Sequence, residues 1–220
     1  MAVRENLEKI KTNIPAGVTL IAVSKTKSNE AILEAYSAGQ RDFGENYVQE
    51  LLQKENQLPK DIRWHFIGHL QSNKVKQIAP FVHLIHGVDS LKLLEEINKQ
   101  AAKSNRIIQF LLQIYIAKEE SKFGLFFEEC DALLSDPKFQ TLKNVSFQGL
   151  MGMASNTADE NTIRKEFTSL KNYANKLISK GWHLPVLSFG MSGDYQLAIA
   201  CGSTMVRVGS AIFGERQYHQ

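Results

Sequence analysis

The sequence contains little cysteine, little proline and no long apolar run, and each shortage excludes a class of protein. Its two cysteines, Cys130 and Cys201, form no CxxC pair and no metal-ligand spacing, which predicts reduced thiols in a cytosolic protein. No apolar stretch approaches the roughly 18 residues that a membrane span needs, and the N-terminal segment lacks the apolar core of a signal peptide. The formal net charge of +3 is too small to indicate a nucleic-acid partner.

Apolar segments rich in β-branched residues alternate with segments of helical periodicity along the 220 residues. Eight segments predict strands: 18–24, 41–46, 64–68, 84–88, 107–116, 145–153, 186–188 and 205–209. Residues 3–13 predict one extra helix at the N-terminus. Alternating strands and helices imply parallel pairing with right-handed crossovers. We therefore predict an α/β fold, a single (β/α)8 TIM barrel with one extra N-terminal helix, as one domain over residues 1–220.

The alternative architecture is an open, doubly wound sheet. Such sheets usually carry a glycine-rich phosphate-binding motif after an early strand, and neither of the two common motifs follows any predicted strand here. No linker rich in proline, glycine or serine divides the chain. The barrel is therefore the favoured fold, and its chemistry is expected in the segments that follow the strands.

The segments after the last two predicted strands resemble an anion site. They carry glycine and serine: Gly190, Ser192 and Gly193 after the seventh strand, and Gly209 and Ser210 after the eighth. Glycine lets backbone N–H groups approach an anion closely, and a helix beginning near Ser192 or Ala211 would direct its positive end there. Arg207 adds a cation that could point inward or outward. Ordinary turn glycines with N-capping serines are the structural alternative.

Lys25, directly after the first predicted strand, is the candidate nucleophile. If Ile21 and Val23 face the barrel interior, period-two alternation places Lys25 on the same side at the rim. Desolvation and the neighbouring Lys27 would favour the neutral, nucleophilic amine. A solvated lysine at the end of a strand is the alternative. Asn46, at the end of the second strand, could contact a ring or carbonyl group near Lys25.

The other polar residues give weaker evidence of a functional site than Lys25 and the two glycine- and serine-bearing segments. His65 and His69 are four residues apart but not in a zinc-binding helical motif, and two imidazoles make a poor metal site without a third ligand. We interpret them, like His83 and His86, as core or hydrogen-bonded histidines, and we predict no metal. The segment with Glu119, Glu120 and Lys122 is interpreted as a solvated loop.

Seven sequence blocks together resemble one known family. They are IAVSKTK, FGENYVQE, WHFIGHLQSNK, EESKFG, GLMGM, SFGMSGDYQLAI and GSTMVRVGSAIFGER, in order between residues 21 and 216. The combination is similar to the YggS/PROSC family of pyridoxal phosphate homeostasis proteins. That resemblance covers nearly the whole chain and implies the barrel of the alanine racemase N-terminal domain.

The resemblance implies pyridoxal 5′-phosphate (PLP) as cofactor, held as an internal aldimine on Lys25. It implies five further cofactor-binding residues: Asn46, Ser192, Arg207, Gly209 and Ser210. The serines and Gly209 would hold the phosphate, Arg207 would lie beside the cofactor, and Asn46 would lie near its ring. Two departures from the family pattern, Tyr115 and Phe189, could change how the ring is packed.

Three functions remain to be weighed. The resemblance favours a PLP-binding protein of intracellular PLP (vitamin B6) homeostasis, with PLP-dependent apoenzymes as recipients. A PLP-dependent racemase or decarboxylase is the first alternative, and a Schiff-base aldolase acting on a sugar phosphate is the second. Racemisation needs acid–base groups on both faces of the substrate carbon, and racemases of this fold supply the second from a further β domain that we do not expect here. We expect no conventional turnover, a cytoplasmic monomer, and Lys122 as a possible second attachment point for the aldehyde.

Overall fold

The computed structural model describes residues 2–118 and 123–215. Eight parallel strands close into a barrel in chain order, and β8 pairs with β1 to complete it. The strands are β1 Thr19–Val23, β2 Asp42–Glu45, β3 Arg63–Phe66, β4 Leu84–Val88, β5 Ile108–Ile114, β6 Val145–Gly152, β7 Val186–Met191 and β8 Met205–Val208. The predicted (β/α)8 barrel is confirmed, and an open sheet is excluded.

Helices connect the strands and cover the barrel. They are α1 Val3–Thr12, α2 Asn29–Ser37, α3 Val48–Gln57, α4 Val75–Ile78, α5 Leu91–Lys103, α6 Phe127–Ser135, α7 Pro137–Thr141, α8 Glu160–Ser179, α9 Tyr195–Ala200 and α10 Ser210–Phe213. The extra N-terminal helix predicted over residues 3–13 is α1, which ends one residue earlier. It packs against α10, where the Asn6 side-chain amide donates a hydrogen bond to the Ile212 carbonyl at 3.0 Å.

Side chains alternate between the two faces of each strand, as period-two geometry requires. On β1, Leu20 and Ala22 pack outward against the helices, while Ile21 lies in a separate cluster inside the barrel. The inner apolar cluster consists of Ile21, Leu84, Leu111, Met151 and Met205. The interior is therefore filled with side chains.

Two sequence expectations about composition can be compared with the structure. Cys130 and Cys201 are both free thiols, as predicted, with Cys130 buried. Within residues 2–118 and 123–215, no helix has the length and apolar character needed to cross a membrane.

Candidate functional site

A cleft of about 360 Å³ opens where the strands end and the loops toward the helices begin. This volume falls within the range of small-molecule sites, about 300–1,000 Å³. All six predicted cofactor-binding residues line it: Lys25, Asn46, Ser192, Arg207, Gly209 and Ser210. The barrel therefore brings together side chains from the first, second, seventh and eighth strand ends, which are far apart in the sequence.

Lys25 reaches the cleft because β1 alternates as predicted. Ile21 lies in the inner cluster, and Val23 and Lys25 line the cleft above it. Directly after Lys25, Thr26 has a φ of 63°, a left-handed conformation that is strained for a β-branched residue. The Thr26 N–H donates to the Glu50 carboxylate at 2.5 Å, which helps to hold this turn. The direction in which Lys25 leaves the strand is thus fixed by a strained and anchored turn.

Behind this turn, on the outer side of the barrel wall, lies a buried polar cluster. Glu45 accepts hydrogen bonds from the Ser24 hydroxyl and from Lys54 Nζ, which also donates to the Ser24 carbonyl at 2.7 Å and to Glu50 at 2.6 Å. Burial raises the pKa of the Glu45 carboxyl to about 7, against the opposing effects of Lys54 and Ser24. The cluster ties β1 and β2 to α3 immediately next to Lys25.

Asn46 presents a buried acceptor at the cleft. Among the described residues, its Oδ1 atom is out of contact with solvent and has no hydrogen-bond partner. An unsatisfied buried carbonyl oxygen costs free energy, so such groups commonly mark a place where a ligand or water donates a hydrogen bond. Asn46 therefore fits a ligand that carries a donor.

The loops after β7 and β8 are joined to each other at the cleft. The Gly209 N–H donates to the Ser192 hydroxyl at 3.0 Å. A Cβ atom at Gly209 would lie 3.3 Å from the Cβ and carbonyl oxygen of Val23, so the close approach of these segments favours glycine. A helix was expected to begin near Ser192 or Ala211. α10 begins at Ser210, next to Ala211, and α9 begins at Tyr195, three residues after Ser192, following a turn in which the Met191 N–H donates to Asp194.

Arg207 points into the barrel, which resolves the ambiguity left by the sequence. Its guanidinium donates to the carbonyl and hydroxyl of Ser188, at 2.8 and 2.7 Å, and to the Gly152 carbonyl at 3.0 Å. Burial lowers the pKa of Arg207 to about 10, and the charge of Asp194 opposes this effect. The side chain remains a cation at neutral pH, held by uncharged oxygens at the base of the cleft.

The histidine predictions divide into two groups. His65 and His86 are fully buried and hydrogen-bonded to each other, which confirms their interpretation as core histidines. His83 is half-buried, with its ring 5.2 Å from that of His65. His69 is not a core residue, because 44% of its side chain is exposed and its ring stacks on Phe123.

Comparison with known proteins places the chain in a family. Residues 1–217 match the N-terminal domain of alanine racemase. A pyridoxal phosphate homeostasis protein of Vibrio alginolyticus is 39% identical over 99% of both chains, and one of Escherichia coli K12 is 40% identical over 93% of this chain and 88% of that protein. This chain belongs to the pyridoxal phosphate homeostasis protein family.

Solved structures of the family agree with the fold. PipY of Synechococcus elongatus has been solved with PLP bound, and it superimposes with a TM-score of 0.88 at 37% identity, covering 96% of this chain and all of PipY. PipY without PLP superimposes with a TM-score of 0.91. An alanine racemase of Clostridium difficile shares the fold alone, with a TM-score of 0.83, 16% identity and 57% of its own chain covered.

The two departures from the family pattern lie away from the cleft of this pyridoxal phosphate homeostasis family member. Phe189 is fully buried on the outer face of β7 and packs against Phe167 of α8, with ring centroids 4.9 Å apart. Tyr115 follows β5 and packs edge-on against Phe126. Neither is among the residues that line the cleft, and an effect of these two residues on ring packing stays a prediction.

Sequence reasoning missed several contributors to the site. Lys27, Ile67, Met153 and Met191 also line the cleft. Period-two counting from Val23 through Lys25 could have found Lys27, and the positions just beyond β3 and β6 could have found Ile67 and Met153. Lys122, with Glu119 and Glu120, lies outside the described residues.

Proposed function

We propose that this protein binds PLP in the cleft and serves in intracellular PLP homeostasis, attaching the cofactor to Lys25 without conventional catalytic turnover. The observation that carries this proposal is that the Lys25 amine, the Arg207 cation and the two serine- and glycine-bearing loops line one cleft. The PLP-bound PipY structure and the names of the full-length relatives support the same cofactor.

The cleft residues fit PLP in chemical terms. The aldehyde of PLP supplies an electrophilic carbon that a primary amine can bond with loss of water. Lys25 offers that amine, and Asn46 offers the unsatisfied buried oxygen described above. Arg207 places a cationic donor at the base of the cleft, where it can orient an aromatic nitrogen or oxygen.

Ser192, Gly209 and Ser210 are proposed to hold the phosphate. The Ser192 hydroxyl oxygen accepts the Gly209 N–H, which leaves its O–H free to donate to a bound anion. Ser210 is exposed at the start of α10 and can donate through its hydroxyl. Hydroxyl donors on closely approaching backbone are typical of phosphate sites.

The lining of the cleft argues against the racemase alternative. Racemisation requires acid–base groups on both faces of the substrate carbon. Among the described residues that line the cleft there is no histidine, tyrosine, cysteine or carboxylate. Lys27 is the second amine, and its Nζ atom is engaged by the carbonyl oxygens of Gly214 and Glu215 at 3.0 and 2.8 Å. We therefore propose binding of PLP without racemisation, decarboxylation or aldol cleavage.

The partners and assembly state are part of the same proposal. The open cleft, with Gly193 and Ser210 exposed, is suited to handing PLP on to PLP-dependent apoenzymes. We further propose a cytoplasmic monomer, and two of the exposed apolar side chains, Leu33 of α2 and Ile178 of α8, lie on different helices.

The deciding experiment compares two lysines of the same cleft. We expect purified wild-type protein to be yellow, Lys25→Ala to lose the visible absorption of lysine-bound PLP, and Lys27→Ala to keep it. Borohydride reduction followed by peptide mass spectrometry should locate the cofactor on Lys25. A Lys25→Ala variant with an unchanged spectrum would falsify the assignment.

The same preparations test the alternatives. Racemisation of alanine at an ordinary enzymatic rate would support the racemase, and cleavage of a sugar phosphate without a bound chromophore would support the aldolase. Reductive labelling on Lys122 as well as Lys25 would establish the second attachment point, whereas labelling confined to Lys25 would exclude it.

A further inference from the structure

A line of five polar side chains crosses the inside of the barrel from the end opposite the cleft to the cleft itself. Its members are Asp42 of β2, His65 of β3, His86 of β4, Ser188 of β7 and Arg207 of β8. Successive atoms are 3.0, 3.0, 3.1 and 2.7 Å apart, which are hydrogen-bond distances throughout. All five residues are buried. The line passes across the barrel axis between β4 and β7, whose residues His86 and Ser188 are 102 positions apart in sequence.

The Asp42 end of this line sets the direction of the hydrogen bonds along it. Burial alone would raise the pKa of the Asp42 carboxyl, but donors from His65 and Arg63 hold that pKa well below its ordinary value, so Asp42 only accepts. Arg207, at the other end, only donates. Burial lowers the pKa values of His65 and His86, although Asp42 opposes this at His65, which favours a neutral ring with one N–H at each position at neutral pH.

The proton positions follow from these constraints. His65 must donate through Nε2–H to Asp42, which leaves its Nδ1 as an acceptor for Nε2–H of His86. His86 Nδ1 must then accept from the Ser188 hydroxyl, whose oxygen accepts from Arg207. Each link has one donor and one acceptor, and reversing any single link would place two donors or two acceptors face to face.

We propose that His65, His86 and Ser188 are positioning residues through which Asp42, at the end of the barrel opposite the cleft, fixes the orientation of the Arg207 guanidinium in the cleft. The expected effect on PLP binding rests on the proposed function. The direction of the hydrogen bonds between Asp42 and Arg207 concerns the protein alone.

A simple packing role explains these residues less well. The neighbouring interior positions are filled by Leu84, Leu111 and Met151, so apolar side chains suit this space. Two imidazoles are buried here at a desolvation cost that an apolar pair would avoid. The line of hydrogen bonds also ends on Arg207, which lines the cleft, so it can affect a ligand bound there.

A metal site is a second explanation that the contacts disfavour. Asp42, His65 and His83 can bring ligand atoms within 4.8 Å of one another. However, the Arg63 guanidinium donates to both oxygens of Asp42. A cation already paired with the carboxylate opposes a second, doubly charged one at the same place.

The direction of the chain can be measured without any cofactor. Nitrogen-15 NMR of the histidine rings in cofactor-free protein should show His65 and His86 as neutral rings protonated at Nε2 near neutral pH. Either ring protonated at Nδ1, or charged, would overturn the proposal. This measurement decides the chain's direction even if the protein takes up no PLP, in which case only the proposed function fails.

The effect on the cleft is tested with two matched serines. Ser188→Ala removes the link to Arg207, whereas Ser203→Ala removes an equally buried hydroxyl that bonds carbonyls of β7 and β8 outside the cleft. We expect the PLP dissociation constant to rise about tenfold for Ser188→Ala, which corresponds to the loss of one hydrogen bond to a charged group. For Ser203→Ala we expect the dissociation constant to stay within about twofold of the wild-type value.

A spectroscopic measurement separates positioning from general loosening. Ser188→Ala and Asp42→Asn should shift the absorption maximum of bound PLP in the same direction, and the double variant should shift it no further than the larger single change. The melting temperatures of wild type, Ser188→Ala, Asp42→Asn and the double variant serve as the control for folding. Equal dissociation constants for the two serine variants, or additive spectral shifts, would overturn the proposal.

Discussion

Strand β2 carries two buried carboxylates, Asp42 and Glu45, that face opposite sides of the barrel wall. Asp42 points inward to His65 and is paired with Arg63, and its pKa lies well below the ordinary value. Glu45 points outward to Lys54 of α3, and burial raises its pKa to about 7. One Glu45 oxygen, Oε2, has no hydrogen-bond partner among the described residues. Burial favours the neutral form of both carboxylates, and the donors outweigh that effect at Asp42 but not at Glu45.

The largest expected effect comes from neutralising the inner carboxylate. Asp42→Asn leaves Arg63 and the His65 N–H without a charged acceptor, and we expect a loss of about 3 kcal/mol in the free energy of unfolding at pH 7, measured by urea denaturation. Asp61→Asn is the control, since its ion pair with Arg41 is largely exposed and should contribute less than about 1 kcal/mol.

The pH dependence of that loss has a definite sign. The folded-state pKa of Asp42 is depressed. The ionised carboxylate therefore makes its full contribution to the free energy of unfolding above the ordinary pKa of 3.8, and this contribution is lost as pH falls below that value. The difference between wild type and Asp42→Asn should therefore be constant from pH 7 to about pH 5 and shrink only in stronger acid. A difference that already disappears at pH 5 would contradict the depressed pKa.

The outer carboxylate should behave in the opposite way. Because the folded-state pKa of Glu45 is raised from 4.5 to about 7, the unfolded chain releases this proton first as pH rises. The free energy of unfolding then falls between these pH values, with a slope of at most about 1.4 kcal/mol per pH unit. Glu45→Gln, which is neutral throughout, should lack this fall and gain about 1–2 kcal/mol relative to wild type between pH 5 and pH 7.

Denaturation curves at pH 5, 6 and 7 measure this difference. Glu8→Gln, on an exposed helical pair with Arg4, is the control and should follow wild type at each pH. If the free energies of unfolding of wild type and Glu45→Gln changed with pH in the same way, Glu45 would be ionised in the folded protein. The contrast with Asp42 would then be lost.

The smallest expected effect concerns the turn at Thr26, which lies next to the buried polar cluster of Glu45 and Lys54. Thr26→Gly relieves the left-handed strain at φ 63°, and we expect a gain of about 0.5–1 kcal/mol because the flexibility of glycine in the unfolded chain offsets part of the relief. The same change should slow attachment of PLP to Lys25, measured as the rate of absorbance growth after mixing. A faster attachment would show that the strain does not position Lys25.

Much of the fold and of the cleft could be predicted from local patterns. Period-two alternation placed Lys25 at the barrel rim, and alternating strands and helices predicted the barrel. The seventh strand was predicted to end at residue 188, but β7 continues to Met191. Gly190, with a φ of 98°, interrupts the apolar alternation there and conceals the last part of the strand.

The contacts between distant segments could not be predicted. His65, His86 and Ser188 are each unremarkable in their own segments, and their connection depends on how strands separated by many residues meet inside the closed barrel. The outward direction of Phe189 could have been inferred, because it follows the inward-facing Ser188 on the same strand. The unsatisfied Asn46 oxygen is a property of the packed structure alone.

The directional chain inside the barrel also has an evolutionary consequence. A single substitution at His65, His86 or Ser188 would leave a donor or acceptor buried without a partner, whereas simultaneous replacement by apolar side chains would not. Lineages should therefore pass between the polar and apolar versions rarely and in coordinated steps. Across many relatives, these positions should covary with Asp42 more strongly than with residues that touch them in space but lie outside the chain, such as His83.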